Sequence, residues 1–258
     1  MDAMVTAGGI PQPGEPLYEY TRGGYKALLD VAGKPMVQWA LDALSEAKTV
    51  DRVVLVGLNE DSGLKCAKPL AFIPNHGDML DNIRAGVVKV KELNPSAHHI
   101  LAVSSDIPGI KPEMVDWVVN TAMETDHDVY YCVITRQVME ARYPGSNRSF
   151  IRLKDGDFCG GDINVIRAAT VLGEDSMWQK IIASRKNALK QAALIGFDTL
   201  FLVVTHLIDV KSAEKLVSKR LHVKGRVIVS PYAEVGMDVD KPHQLEIMRA
   251  DLARQQVG

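Results

Sequence analysis

Where a short apolar run ends at Thr6, the chain continues Ala7-Gly8-Gly9. Open α/β sheets bind ligands at the carboxyl ends of their strands, and glycines let successive N–H groups reach phosphate oxygens with no Cβ in the way. The same residues would equally suit an ordinary Gly-rich turn. They match neither G-x-G-x-x-G nor G-x-x-x-x-G-K-[ST]. Gly33-Lys34-Pro35 is not a P-loop either, because the upstream glycine is misplaced and no Ser or Thr follows. Further on, the strand pattern His99–Ser104 delivers Ser105-Asp106 at its end, and Asp238-Val239-Asp240 precedes the last helical pattern. Cys66, Cys132 and Cys159 form no C-x-x-C pair and are odd in number, which fits a reducing cytoplasm better than a disulfide framework. Cys159 reads as a small packing residue. His98-His99 has no metal-ligand spacing and reads as surface; His206 reads as a core histidine, and Trp39, Trp117 and Trp178 as core.

The elements that must position these residues follow from periodicity. Short β-branched runs alternate with helical patterns, the signature of βαβ units around a mainly parallel sheet flanked by helices. Strands are expected to end at Thr6 and to span Arg52–Gly57, Leu70–Ile73, His99–Ser104 and Asp128–Thr135. A long loop, Ala7 to Tyr25, follows the first. Helices are expected from Pro35, with Val37, Ala40, Leu41 and Leu44 on one face; between Asp78 and Leu93; and from Lys111-Pro112. The second half is less regular: strands at Phe150–Leu153, Asp162–Ile166 and Arg226–Val229, a run of helices over 175–220, and a last helix from Pro242 to about Gln255. One domain over 1–258 with a helical insertion at about 175–220 is the expected organisation.

A formal charge of −2 and a pI near 6.4 give no pull towards nucleic acid or anionic membrane. The apolar stretch Ala192–Ile208 carries Asp198 and His206 and falls short of the ~20 apolar residues of a spanning helix. It reads as a buried or interface helix, and as an association surface in a homodimer. No signal peptide is expected at Met1–Val5.

Several pieces taken together resemble the MobA-like nucleotidyltransferases, which have a glycosyltransferase-A-like, Rossmann-like α/β fold. Ala7-Gly8-Gly9, Lys26-Ala27-Leu28-Leu29 and Val31-Ala32-Gly33-Lys34-Pro35-Met36 are similar to that family's opening signature. Asn82, in Asp78–Gly86, is similar to its helix beneath the nucleotide. Ser104-Ser105-Asp106-Ile107-Pro108 is similar to its x-x-D-x-P strand end, which supplies a metal-binding aspartate. Gly160-Gly161-Asp162-Ile163-Asn164 resembles its substrate strand, and Asp238-Val239-Asp240-Lys241-Pro242 its closing element. The resemblance runs from residue 4 to about 252 and is closest to the molybdopterin-guanylyltransferase-like branch.

What the resemblance implies is Mg²⁺-dependent transfer of a nucleoside monophosphate from GTP or CTP to a phosphorylated small molecule, with release of pyrophosphate, in the cytoplasm. Such a reaction needs positioning and electrostatic stabilisation more than covalent work, and Mg²⁺ needs only one or two carboxylates beside phosphate oxygens. The implied roles are Asp106 and Asp240 on the metal, with Asp238 competing with Asp240, whose other role would be to cap the last helix. Lys26 and Asp106 are the catalytic pair. Ala7, Gly8, Gly9, Lys26, Lys34 and Asn82 bind nucleotide, and Gly161, Asp162 and Asn164 bind the acceptor. One departure stands out: the family carries an Arg shortly after the glycines, whereas the first Arg here is Arg22. Tyr18, Tyr20 and Tyr25 in the same loop suit either a flap or loop packing. Two other readings compete: a non-catalytic nucleotide-binding or regulatory protein, and a glycosyltransferase using a nucleotide-sugar. The second is disfavoured because no D-x-D stands at Asp106.

Overall fold

The computed structural model describes residues 1–173, 202 and 205–257. Its centre is β1 (Asp2–Thr6), an apolar run buried on both faces, as a strand covered by helices on both sides must be. Parallel neighbours flank it: β4 (Arg52–Val56) and then β5 (Leu70–Ile73) on one side, β6 (His99–Ser104) on the other. Alternation along β1 sorts two cores. Ala3 and Val5 pack with α2 (Met36–Glu46) and α4 (Pro112–Met123), while Met4 packs with α3 (Met79–Leu93). The face expected of α2, Val37, Ala40, Leu41 and Leu44, is the buried one, and α4 buries Met114, Val115, Val118 and Ala122 in the same way. The sheet is mixed and mostly parallel, with helices on both faces, as the sequence predicts.

Beyond β6 the sheet changes direction. β10 (Ile163–Arg167) runs antiparallel between β6 and β7 (Val129–Thr135). β9 (Gly156–Gly160) pairs with the other end of β7, β8 (Ile151–Leu153) pairs with β9, and β11 (Gly225–Ser230) lies parallel on β7's free edge. The register Ile163↔Val103 is decisive. It puts the start of an antiparallel strand level with the carboxyl ends of β1 and β6, so residues just before β10 join residues just after β6.

Among the elements that escaped the sequence reading are β9, α5 (Arg136–Arg142) and the short helix at Ala168–Leu172. α5 follows β7 without a break and is too short for a periodic signal. The loop 7–25 holds a one-turn helix, α1 (Tyr18–Thr21), and two-residue strands β2 (Asp30–Val31) and β3 (Lys34–Pro35) form a small hairpin. The chain closes with α6 (Ala168–Leu172), α7 (Val210–Leu221) and α8 (Pro242–Val257). Of the expected helical run over 175–220, α7 is present; Trp178, Asp198 and most of the apolar stretch 192–208 lie outside the described residues. His206 corrects its expectation: it sits exposed in a turn, with φ 59°, its Nδ1 2.9 Å from the Arg152 carbonyl. His98 is exposed as expected, but His99 is half-buried, its Nε2 2.8 Å from the His127 carbonyl. No described helix is long and apolar enough to cross a membrane.

Candidate active site

The site is assembled at the carboxyl edge of β1 and β6. Lys26 stands in a short 3₁₀ turn whose entry is tied to the first loop, the Lys26 N–H donating to the Gly9 carbonyl at 2.9 Å. Its ammonium donates to Asp106 Oδ2 at 2.6 Å and to Asp240 Oδ1 at 2.5 Å. Burial alone would lower the Lys26 pKa, but the two carboxylates outweigh it and the net shift is upward. Asp106 Oδ1 is buried and accepts no hydrogen bond.

Asp240 is held in place by its backbone. Gln244 Oε1 accepts from the N–H groups of both Asp240 and Lys241 and so caps α8, leaving the Asp240 carboxylate free to face Lys26. The Val239 N–H donates to the Asp106 carbonyl at 2.9 Å, stitching the closing segment to the strand end. Asp238, two residues earlier, points elsewhere: its carboxylate is ion-paired with Arg148.

Arg148 was not anticipated. The turn before it uses left-handed backbone at Gly145 and Asn147, and the Ser146 carbonyl accepts from Gln244 Nε2 at the start of α8. Arg148 thus enters the acidic cluster, 3.9 Å from Asp162 Oδ2, with its guanidinium also reaching the Gly160 carbonyl. Asp162 arrives through β10, its carbonyl accepting from the Ser104 N–H at 2.9 Å. Burial, reinforced by the charge of Asp106, pushes the Asp162 carboxyl up to about 7; Arg148 works against this.

The glycine loop is built for close approach. Gly57, with φ 107°, lies so near Gly8 that a Cβ on it would fall 2.4 Å from Gly8 Cα and N. Around Gly9 nothing lies within 4 Å of such a Cβ. Among the described residues, the N–H groups of Gly8 and Gly9 donate to no protein acceptor. Gly9, Lys26, Asp240, Lys241 and the loop 10–17 line a cavity of ≈ 420 Å³.

The structure sends other expected residues elsewhere. Ala7 is buried, its N–H bonded to the Val56 carbonyl, and supports the loop from below. Lys34 is turned towards α2: its ammonium pairs with Asp42 at 2.7 Å and lies over the Trp39 ring, and it lines a different cavity. Asn82 is buried behind the loop. Its amide donates to Asn75 Oδ1, and Asn75 donates to the Gly8 carbonyl, so Asn82 positions the glycines through a relay. Asn164 spends its amide on the fold, accepting from the Cys132 N–H and donating to the Gly161 carbonyl. Gly161 serves the crossing of β7, where a Cβ would lie 3.0 Å from that of Cys132. Arg22 does not fold back onto a phosphate loop; it is exposed, in left-handed backbone at the end of α1. Tyr20 is exposed as well, while Tyr25 packs against the core.

Fold and site together define a doubly covered α/β sheet with an open glycine loop, a lysine and paired carboxylates at the carboxyl ends of its central strands. The comparisons name the family: residues 20–181 match the MobA-like NTP transferase domain, and the chain belongs to it. A hypothetical transferase from Thermus thermophilus is 30% identical, superposes with a TM-score of 0.81, and the match covers 95% of this chain and 98% of that one. A probable molybdenum cofactor guanylyltransferase from Thermococcus gammatolerans is 28% identical over 98 residues, 38% of this chain; the match spans 48% of that relative, about half its length. The 4-diphosphocytidyl-2C-methyl-D-erythritol synthase of Anaerococcus prevotii shares the fold, with a TM-score of 0.60 at 14% identity over 97% of this chain and 95% of its own.

Proposed function

We propose that this chain transfers a nucleoside monophosphate from GTP or CTP to a phosphorylated small molecule, releasing pyrophosphate. The observation that carries the reading is the Lys26 ammonium gripped between Asp106 and Asp240, beside an open glycine backbone. Family membership and the name of the Thermococcus relative support it.

In such a transfer an acceptor oxygen forms a bond to the α-phosphorus as the bond to pyrophosphate breaks, the electron pair leaving with pyrophosphate. Negative charge grows on the leaving group, and the chain's part is to hold and neutralise it. The Gly8 and Gly9 N–H groups are free to donate to phosphate oxygens. Lys26 offers a mobile point charge, and on meeting phosphate it would release the two carboxylates it now bridges. Those carboxylates suit Mg²⁺: Asp106 Oδ1 is a buried oxygen with no donor of its own. Among the described residues no three metal-binding side chains converge, so water and phosphate would complete the shell, as Mg²⁺ prefers. When bound, the ion would act as a Lewis acid towards the phosphoryl oxygens. On the acceptor side Asp162 and Arg148 are the groups that present polar atoms, over a backbone shaped by Gly161 and Asn164. The proposal has the enzyme work in the cytoplasm on small molecules, without nucleic acid or membrane, with a homodimer as its candidate assembly.

The exposed Arg22 favours a second reading, a protein that binds NTP without turning it over. The glycosyltransferase reading gains little: Asp238-Val239-Asp240 does reach Asp106, but Asp238 is taken by Arg148. The deciding experiment incubates the protein with each NTP, Mg²⁺ and pooled phosphorylated metabolites and follows pyrophosphate. Release with one NTP and one pool supports the transferase. NTP binding without release across the panel supports the binding protein. Absence of NTP binding would sink both.

A further inference from the structure

Another cavity, of ≈ 530 Å³, lies between α7 and the sheet face carried by β7, β8, β9 and β11. Its floor is every second residue of β7: Val129, Tyr131 and Val133. The intervening Tyr130, Cys132 and Ile134 face the core and are fully buried. Its roof is Ala213, Val217 and Leu221, one stripe of α7 at helical spacing. Yet no residue of α7 is fully buried. Polar wall groups are already committed: Glu214 Oε2 accepts from the Val227 N–H at 2.6 Å, and Ser218 Oγ from the Gly225 N–H at 3.1 Å. What remains among the described residues is an apolar chamber, open where Tyr131 and Ile151 keep exposed surface, within the ~300–1,000 Å³ range of small-ligand pockets.

One end of this chamber meets the acidic site. A Cβ on Gly160 would lie 2.4 Å from the Tyr131 hydroxyl oxygen, so the hydroxyl rests against Gly160. The carbonyl of that same glycine accepts from Arg148, and Asp162 follows two residues on. Tyr131 keeps 47% of its surface exposed; its partial burial raises the hydroxyl's pKa and the Asp162 charge adds to it, while Arg148 opposes, as expected for groups within electrostatic reach. Tyr131 donates to no described residue.

We propose that this chamber receives the apolar body of the acceptor, an amphipathic phosphate whose head lies by Arg148 and the Tyr131 hydroxyl. Among the described residues, a wholly polar acceptor would find one uncommitted hydroxyl in the chamber, that of Tyr131. An apolar body whose phosphate takes Arg148 over from the Asp238 and Asp162 carboxylates satisfies both halves of the geometry. The inference rests on the transferase reading and deepens it by giving the acceptor's chemical class.

The test titrates the full chain with butyl, hexyl and octyl phosphate, with inorganic phosphate as the reference and Mg·NTP binding followed separately. Affinity should climb about fourfold per methylene, from a transfer free energy of ~0.8 kcal/mol each. Val217→Trp and Ala213→Phe, which fill the chamber, should flatten that series while Mg·NTP binding stays within about twofold. A series with no dependence on chain length in the unaltered protein would overturn the proposal, as would a dependence that both variants leave intact. A flat series in a protein that does bind NTP would mean the chamber belongs to the chain's own packing. Chain-length-dependent binding in a protein that binds no NTP would instead overturn the acceptor assignment by removing the transferase beneath it.

Discussion

Lys26 reaches two carboxylates that lie 80 and 214 residues away in the chain, and one lysine cannot stay on both once a triphosphate arrives. Asp106→Asn removes one charge while keeping the side chain's shape, so the fold should persist, with a melting temperature within about 2–4 °C of the parent. Mg²⁺-dependent turnover should fall by about 10³-fold, the scale of losing one transition-state electrostatic contact. Full activity in that variant would take Asp106 out of the mechanism. Asp162 yields a prediction with a definite sign. Its folded pKa, about 7, stands above the ordinary Asp value of ~3.9, so the folded state holds the extra proton between those limits. Stability contributed by this group therefore declines as pH rises from about 4 to 7. Asp162→Asn lacks that decline, so in chelator its melting temperature should exceed the parent's by about 2–4 °C at pH 8 and by much less at pH 5. A difference that does not change with pH would refute the assignment.

At the scale of elements, the glycine loop depends on a neighbour's backbone. Gly57 follows β4 in a left-handed conformation and touches Gly8 directly. Gly57→Ala meets both obstacles at once, strain at positive φ and collision with backbone that cannot move aside as a side chain would. A loss of about 1–3 kcal/mol is expected in denaturant unfolding. Mg·NTP binding should weaken by more than the stability loss explains, because the loop itself is displaced. If the variant unfolds earlier yet binds NTP normally, the glycine loop is not the phosphate cradle. The change of direction from β9 to β10 is the other element-level device. Gly160 and Gly161 let the chain pass close to Tyr131 and Cys132, and Asp162 emerges beside the carboxyl ends of β1 and β6 as a consequence.

Across the whole molecule, the site is a meeting of distant segments locked by a polar hub. The loop carrying Arg148 is pinned to α8, α8 carries the closing segment with Asp240, and that segment is stitched to Asp106. Arg148→Leu would strand Asp238 and Asp162 in a poorly solvated place, and breaking a buried ion pair in this way costs about 3–5 kcal/mol. Loss of the cation lifts the Asp162 pKa further, so the destabilisation should be greater at pH 8 than at pH 5. Urea unfolding at the two pH values reads this directly. A loss of under ~0.5 kcal/mol at pH 8 would show that the hub contributes little.

Much of this was legible in the residues alone, for a local reason. Val37, Ala40, Leu41 and Leu44 announce a buried helix face because helical period is set by neighbours a few residues away. Thr6 and Ser104 end strands whose composition admits little else, and Ala7-Gly8-Gly9, Lys26, Asp106 and Asp240 were placed by the order of short motifs. Where side chains point at loop ends was not local. Lys34 turned to Asp42, Asn164 was spent on β7, and Asn82 became a support two hydrogen bonds from the glycines. The choice of Asp240 over Asp238 at Lys26 depended on Gln244 taking the capping role. Arg148 had no sequence signal, because its place is decided by a turn packed against a helix that begins nearly a hundred residues later. Periodicity and composition are properties of short windows and determine the elements. The partners of a charge are determined by which surfaces pack, and only the tertiary structure decides that.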